Sequence, residues 1–150
     1  MAVGDSRVKQ FSLIVVCLLL CGAVPAQAQG ADPTGTWLTQ TGDARIKVTR
    51  CGGGICGAVA WLREPNDPLT GRPQRDDKNP NPAVAKRPIL GLVLFSNMRP
   101  SGTARWSGTI YNADDGQTYA SNVAMTGPNT LRVEGCMGAL CGAEVWTRTR

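Results

Sequence analysis

The chain has 150 residues, six cysteines and no histidine, and its formal net charge is +5. This length is that of a single domain. The absence of histidine excludes Ser-His-Asp and Cys-His catalysis, histidine-ligated haem and histidine-ligated zinc. The 18 glycines and 10 prolines indicate many turns between short elements.

The N-terminal segment has the three parts of a secretory signal peptide. A short basic region precedes the apolar run 11–20, and Ala26-Gln27-Ala28 is a small-x-small cleavage site. The apolar run is too short to span a bilayer, which takes about 20 residues. We therefore expect cleavage near Ala28 and a periplasmic or secreted domain over 29–150, with no transmembrane segment. A lipoprotein acylated at Cys21 is the alternative.

The remaining chain predicts a series of β-strands. In the segment 44–51, Ile46 and Val48 alternate with polar residues, which is the period of a half-buried strand. The predicted strands are 36–40, 44–51, 56–62, 89–95, 104–111, 118–126, 130–136 and 141–149. About eight short strands with hairpin-length connections favour an all-β fold, an eight-stranded antiparallel up-and-down barrel. A β-sandwich is the alternative, because periodicity does not distinguish closure from stacking.

The long connection 63–88 contains six prolines, which make regular structure unfavourable there. Its polar side chains have no EF-hand spacing, so we expect surface turns and no metal site. We expect Arg87 to pair with Asp77, near Asn79, and so to pin the loop over the mouth of the barrel.

The strongest signal is an internal repeat of cysteine, glycine and tryptophan. It reads Cys51-x4-Cys56-Gly57-x3-Trp61 and Cys136-x4-Cys141-Gly142-x3-Trp146. Because the residues that flank a short hairpin loop face each other, we predict the disulfides Cys51–Cys56 and Cys136–Cys141. Crossed pairing, a four-thiolate zinc site and a redox-active disulfide are the alternatives. Export to an oxidising compartment disfavours zinc, and nothing nearby would lower the pKa of a thiol.

The two tryptophans of the repeat are candidates for core, rim or ligand-stacking positions. Alternation places Val59 on the face of Trp61, and Glu144 on the face of Trp146. Glu144 is therefore either a polar group inside a cavity or a sign that this face is outside.

Seven stretches together resemble the bacterial family called domain of unknown function 2147. They are Asp32-Pro33-x-Gly35-x-Trp37, Cys56-Gly57-x-Val59-x-Trp61, Asp77-x-Asn79-Pro80-x-Pro82, Arg87-Pro88-Ile89-x-Gly91, Trp106-x-Gly108-x-Ile110-Tyr111-Asn112, Asp115-Gly116-x-Thr118-Tyr119 and Leu131-x-Val133-x-Gly135. The resemblance implies a small secreted or periplasmic protein with a lipocalin-like barrel, and it implies no reaction.

The triplet Gly35-x-Trp37 is also similar to the lipocalin signature on the first strand. In that family the tryptophan packs under an arginine from the last strand, and this implies a latch between Trp37 and Arg148, with Arg150 as the second candidate. A cation over an indole ring contributes about 0.5–2 kcal/mol.

These observations favour binding of a small hydrophobic or amphipathic ligand, such as a lipid, in the barrel. The alternative is an envelope structural or interaction protein with a filled barrel. We expect no enzyme, because no nucleophile–base pair is recognisable, and no cofactor. A nucleic-acid partner is not expected either, because the chain has no basic stripe interleaved with aromatic residues. The sequence leaves the oligomeric state open.

Overall fold

The computed structural model describes residues 31–150, so the expected signal peptide and its cleavage site near Ala28 lie outside the described residues. Eight strands follow one another: β1 (Gly35–Leu38), β2 (Ala44–Cys51), β3 (Gly54–Leu62), β4 (Val93–Gly102), β5 (Arg105–Asn112), β6 (Gln117–Gly127), β7 (Thr130–Met137) and β8 (Leu140–Arg148). Each strand pairs antiparallel with the next, and β8 pairs with β1. The predicted up-and-down barrel is confirmed, and the sandwich alternative is wrong.

The up-and-down order gives the barrel two ends. We call base the end formed by the turns 52–53, 103–104 and 128–129 together with residues 31–34. We call rim the end that carries the turns 39–43, 113–116 and 138–139 and the long loop 63–92. No helix in the described part of the chain is long and apolar enough to cross a membrane.

The fourth strand lies later in the chain than predicted. The apolar stretch that begins at Ile89 first forms a turn, and β4 then runs on to Gly102. Asn97 adopts a left-handed φ of 52°, which asparagine tolerates, and the strand continues beyond it. Pro100 pairs with Trp106 next to a register shift, a place where a proline fits in a sheet.

Both predicted disulfides are confirmed. Cys136 and Cys141 are direct partners across the β7–β8 hairpin at the rim. The Cys51–Cys56 bridge at the base is diagonal, because Cys51 stands opposite Gly54. The two hairpins therefore differ in strand register, although the spacing between their cysteines is the same.

A digest under non-reducing conditions checks this pairing chemically. Trypsin has no site within Cys51–Arg63 or within Val133–Arg148, so each bridge stays inside one peptide. We expect mass spectrometry to find both peptides as single chains, each lighter by two hydrogen atoms than its reduced form. A covalent pair of the two peptides would contradict the structure.

The apolar core lies at the base end of β5–β8 and extends along β2–β4 as far as Leu92 of the rim loop. Three tryptophans, Trp37, Trp106 and Trp146, are buried there. The other buried apolar side chains are Ile46, Val48, Ile55, Val59, Leu92, Phe95, Met98, Val123, Leu131 and Val133. Bulky aromatic groups thus occupy space that a larger barrel would leave open.

The barrel wall is lowest between β8 and β1. The short strand β1 pairs with β8 only through Trp37–Arg148 and Leu38–Thr147. The rim half of β8 has no strand partner on that side, and the Val145 amide donates to the Gln40 side chain instead. Residues 140–145 of β8 are consequently exposed on both faces of the strand, and the turn before them is exposed too.

Candidate functional site

Arg148 and Trp37 meet at the base of the barrel. The guanidinium carbon lies 4.2 Å from the centroid of the indole ring. The same guanidinium donates hydrogen bonds to the carbonyl oxygens of Thr34, Asp32 and Pro128. The Trp37 Nε1–H donates to the Pro33 carbonyl oxygen at 2.8 Å. This geometry ties the segment before β1 to the last strand, as a latch would.

Trp61 lies on the outside of the barrel, so its expected place on the face of Val59 is wrong. A β-bulge between Arg45 and Ile46 sets Trp61 opposite Arg45 and Val59 opposite Ile46. The extra residue turns Trp61 outward, where its ring lies 4.6 Å below the Arg45 guanidinium. Trp61 therefore lines no interior site.

Trp146 and Glu144 both face inward. Trp146 is 3% exposed and belongs to the core, and Glu144 shares its face two residues nearer the rim. The Glu144 Oε2 accepts a hydrogen bond from the Trp146 Nε1–H at 2.9 Å. Glu144 is itself exposed, because the wall beside β8 is low. The carboxylate is thus a polar group in an open part of the interior.

The ion pair of the long loop joins Arg87 to Asp76, and the expected pairing with Asp77 is wrong. Asp76 is fully buried, and its Oδ2 accepts from both Nε and Nη2 of Arg87, at 2.9 and 2.8 Å. Asn79 donates to the same carboxylate, and the Tyr111 hydroxyl donates to Oδ1. Asp77 is the exposed neighbour, in the turn closed by the hydrogen bond from the Asn79 backbone amide to the Asp76 carbonyl oxygen.

This cluster pins the loop to the outer face of β5. Burial, and then the hydrogen bond to Asp76, raise the pKa of Tyr111. Lys78 adds a hydrogen bond to the Asp114 carbonyl in the next turn. Every polar atom of the Asp76 side chain is satisfied within the protein, so the cluster is a structural pin and has no group free for a ligand. The role of Tyr111 in this cluster was not predictable from the sequence, because Tyr111 and Asp76 are 35 residues apart.

A row of small residues crosses the inner wall near the rim. In register, Gly108 of β5 pairs with Ser121 of β6, Ser121 with Gly135 of β7, and Gly135 with Gly142 of β8. Gly108, Ser121 and Gly135 share the inward face with the buried residues Trp106, Val123 and Val133, two positions nearer the base. Gly142 shares it with the exposed Glu144. We call Gly108, Ser121, Gly135 and Gly142 the small-residue row. No sequence pattern reveals it, because the register between four strands brings the residues side by side.

Space is left at one end of the small-residue row. At Gly142, an added Cβ atom would have no heavy atom within 4 Å. At Gly135 the Cβ atom would meet Tyr119, and at Gly108 it would meet Met98. The row is therefore covered toward β5 and open toward β8, beside Glu144.

Within residues 31–150, one group of side chains has metal-ligand spacing: Glu134, Cys136 and Cys141. The two sulfur atoms are bonded to each other, so they offer no thiolate to a metal ion. Two open surface depressions lie elsewhere, one beside Arg148 at the base and one within the loop 63–92.

Comparisons with known proteins give a family match and one structural match. A family model described as "uncharacterized protein conserved in bacteria (DUF2147)" matches residues 35–148. The chain is similar to a solved structure titled as protein HP1028 from Helicobacter pylori, which "belongs to the lipocalin family". The TM-score is 0.66 at 22% identity, over 80% of this chain and 84% of that one. A comparison with curated proteins finds no match.

Proposed function

We propose that this chain, which belongs to the bacterial family DUF2147, is a ligand-binding protein. Its barrel holds a small hydrophobic or amphipathic molecule near the rim. The carrying observation is the open space inside Gly142, next to a filled base. Eight-stranded barrels have room for one small ligand at most. The low wall beside β8 offers the way in.

The inventory of side chains supports binding over catalysis. The chain has no histidine, and the inward Glu144 has no second acid or nucleophile in hydrogen-bond reach among the described residues. General acid–base chemistry takes such a partner within about 3 Å. The lipocalin title of the structural neighbour, whose fold this chain shares, is consistent with a carrier.

The setting of this function is an oxidising compartment. Two disulfides are typical of proteins outside the cytoplasm. Together with the signal-peptide pattern before Ala28, they support a periplasmic or secreted carrier.

One observation favours a second candidate function. Three of the four tryptophans are buried in the core, as a filled barrel with a structural role in the envelope would have them. The two candidates differ in whether the space at Gly142 takes a guest molecule.

The substitution Gly142→Leu tests the proposal by filling that space. Gly142 has no positive φ, so leucine fits its backbone without strain. We expect the affinity for the neutral fluorescent probe N-phenylnaphthylamine to fall at least about tenfold, because the added side chain occupies its place. Fluorescence titration measures the change.

The matched control is Ala143→Leu, on the outer face of the same strand. It adds a similar apolar side chain and should leave probe affinity unchanged. If the unaltered protein does not bind the probe, or if both variants bind it equally well, the ligand-binding proposal is wrong and the filled-barrel alternative takes its place.

A further inference from the structure

Ser121 is a buried hydroxyl without a partner. The residue is 3% exposed, and its Oγ has no hydrogen bond within the described part of the chain. Leaving such a group unpaired costs free energy, so it needs an explanation. Ser121 stands between Gly108 and Gly135 in the small-residue row and faces inward. This hydroxyl could pair with a guest in the row once the side chains that bury it move aside.

Glu144 is the second polar group at this site. Its Oε2 receives the Trp146 indole N–H, and Oε1 remains open. No lysine or arginine of the described chain lies within salt-bridge distance of it, although the protein as a whole is positively charged. A carboxylate that faces the open part of the interior and lacks a cation favours a positively charged guest.

The two groups bracket an apolar stretch. Ser121 and the neighbouring β8 residue of its row, Gly142, are two strands apart, which corresponds to about 10 Å. Leu140 and Met137 flank this stretch at the rim, and both are exposed. Tyr119 covers Gly135 between the two groups, so a guest that reaches Ser121 must move its ring.

We propose that the ligand is a small amphipathic amine, whose protonated amine pairs with Glu144 and whose second hydrogen-bonding group reaches Ser121 along the small-residue row. This inference rests on the proposed function and specifies its ligand class. An amine is selected over a fatty acid, because a carboxylate beside Glu144 would meet a like charge.

Four linear probes test the charge preference. They are an alkylamine, the matching alcohol, the matching carboxylate and an amino alcohol of about nine carbons, which spans the roughly 12 Å between Ser121 and Glu144, two strands and two residues apart. By calorimetric titration we expect the amine to bind at least about tenfold more tightly than the carboxylate. Glu144→Gln should remove this preference and leave the affinity for the alcohol unchanged.

Glu134→Gln is the control for net charge. Glu134 lies on the outer face of β7, paired with Arg132, so its loss changes the charge of the protein by the same amount. We expect it to keep the preference for the amine. If it removes the preference as fully as Glu144→Gln does, the proposed contact is wrong.

Ser121→Ala tests the far end of the row. The amino alcohol should bind several-fold more tightly than the amine to the unaltered protein, and equally to the variant. The variant should also unfold about 3 °C higher, because an unpaired buried hydroxyl is gone. If the amino alcohol has no advantage, or keeps it in the variant, the role of Ser121 is refuted.

The outcomes separate this inference from the proposed function. Equal binding of amine, alcohol and carboxylate refutes the amine class and leaves ligand binding intact. If the protein binds the neutral probe N-phenylnaphthylamine but neither the alkylamine nor the amino alcohol, the amine class is refuted as well. Failure of every probe refutes both.

Discussion

Replacing Asp76 with alanine should lower the free energy of unfolding by about 3 kcal/mol. The substitution leaves the Arg87 guanidinium, the Asn79 amide and the Tyr111 hydroxyl without their shared acceptor. The Arg87 side chain is 40% exposed, so water recovers part of its loss, and the expected effect stays at the low end for a buried pair. Urea unfolding followed by tryptophan fluorescence measures the difference.

Asp77→Ala is the matched control, since it removes the same side chain at the next position. Asp77 is exposed, so the change should stay within about 0.5 kcal/mol. Tyr111→Phe removes two hydrogen bonds of the cluster, the one donated to Asp76 and the one accepted from the Asn79 amide, and should cost about 1–2 kcal/mol. An equal loss in the Asp76 and Asp77 variants would contradict the buried ion pair.

The difference between Asp76 and Asp77 illustrates the limit of sequence reasoning. Both aspartates stand in the same polar loop, and an ion pair between that loop and Arg87 was predictable. Which of two adjacent carboxylates turns inward depends on the backbone direction over the outer face of β5. A sequence of turns and prolines does not determine that direction.

The outward position of Trp61 has a related cause. Strand periodicity assigns faces correctly only while the register is regular, and a single bulge inverts every assignment beyond it. The alternation of β3 carries no sign that Ala60 is an extra residue opposite Arg45 and Ile46, whereas the position in β8 that matches Trp61, Trp146, lies in a regular ladder and faces inward.

The features that were predictable are local in the chain. Hairpin turns and cysteine spacing depend on a few neighbouring residues, so the succession of antiparallel hairpins and both disulfides follow from them. The closure between β8 and β1 does not. The small-residue row depends on the register of four strands at once. Its members lie up to 34 positions apart along the chain, from Gly108 to Gly142, and only the folded barrel aligns them.

Replacing Arg148 with alanine should lower the free energy of unfolding by about 2–3 kcal/mol. The variant loses the cation over the Trp37 ring, worth about 0.5–2 kcal/mol, and three hydrogen bonds to carbonyl oxygens. Two of those carbonyls belong to the segment before β1, so this segment should also detach. Hydrogen exchange at its amides, and denaturant unfolding, measure the two effects.

The control at the same terminus is Arg150→Ala, which removes an equal charge from an exposed side chain. Its effect should stay within about 0.5 kcal/mol. Arg148→Lys separates charge from geometry, because an ammonium retains the cation but not the planar fork that reaches several carbonyls at once. We expect its stability to lie between those of the alanine variant and the unaltered protein. If Arg148→Ala and Arg150→Ala unfold alike, β8 is held at the base by its strand pairing with β1 alone, and the arginine over Trp37 is not a latch.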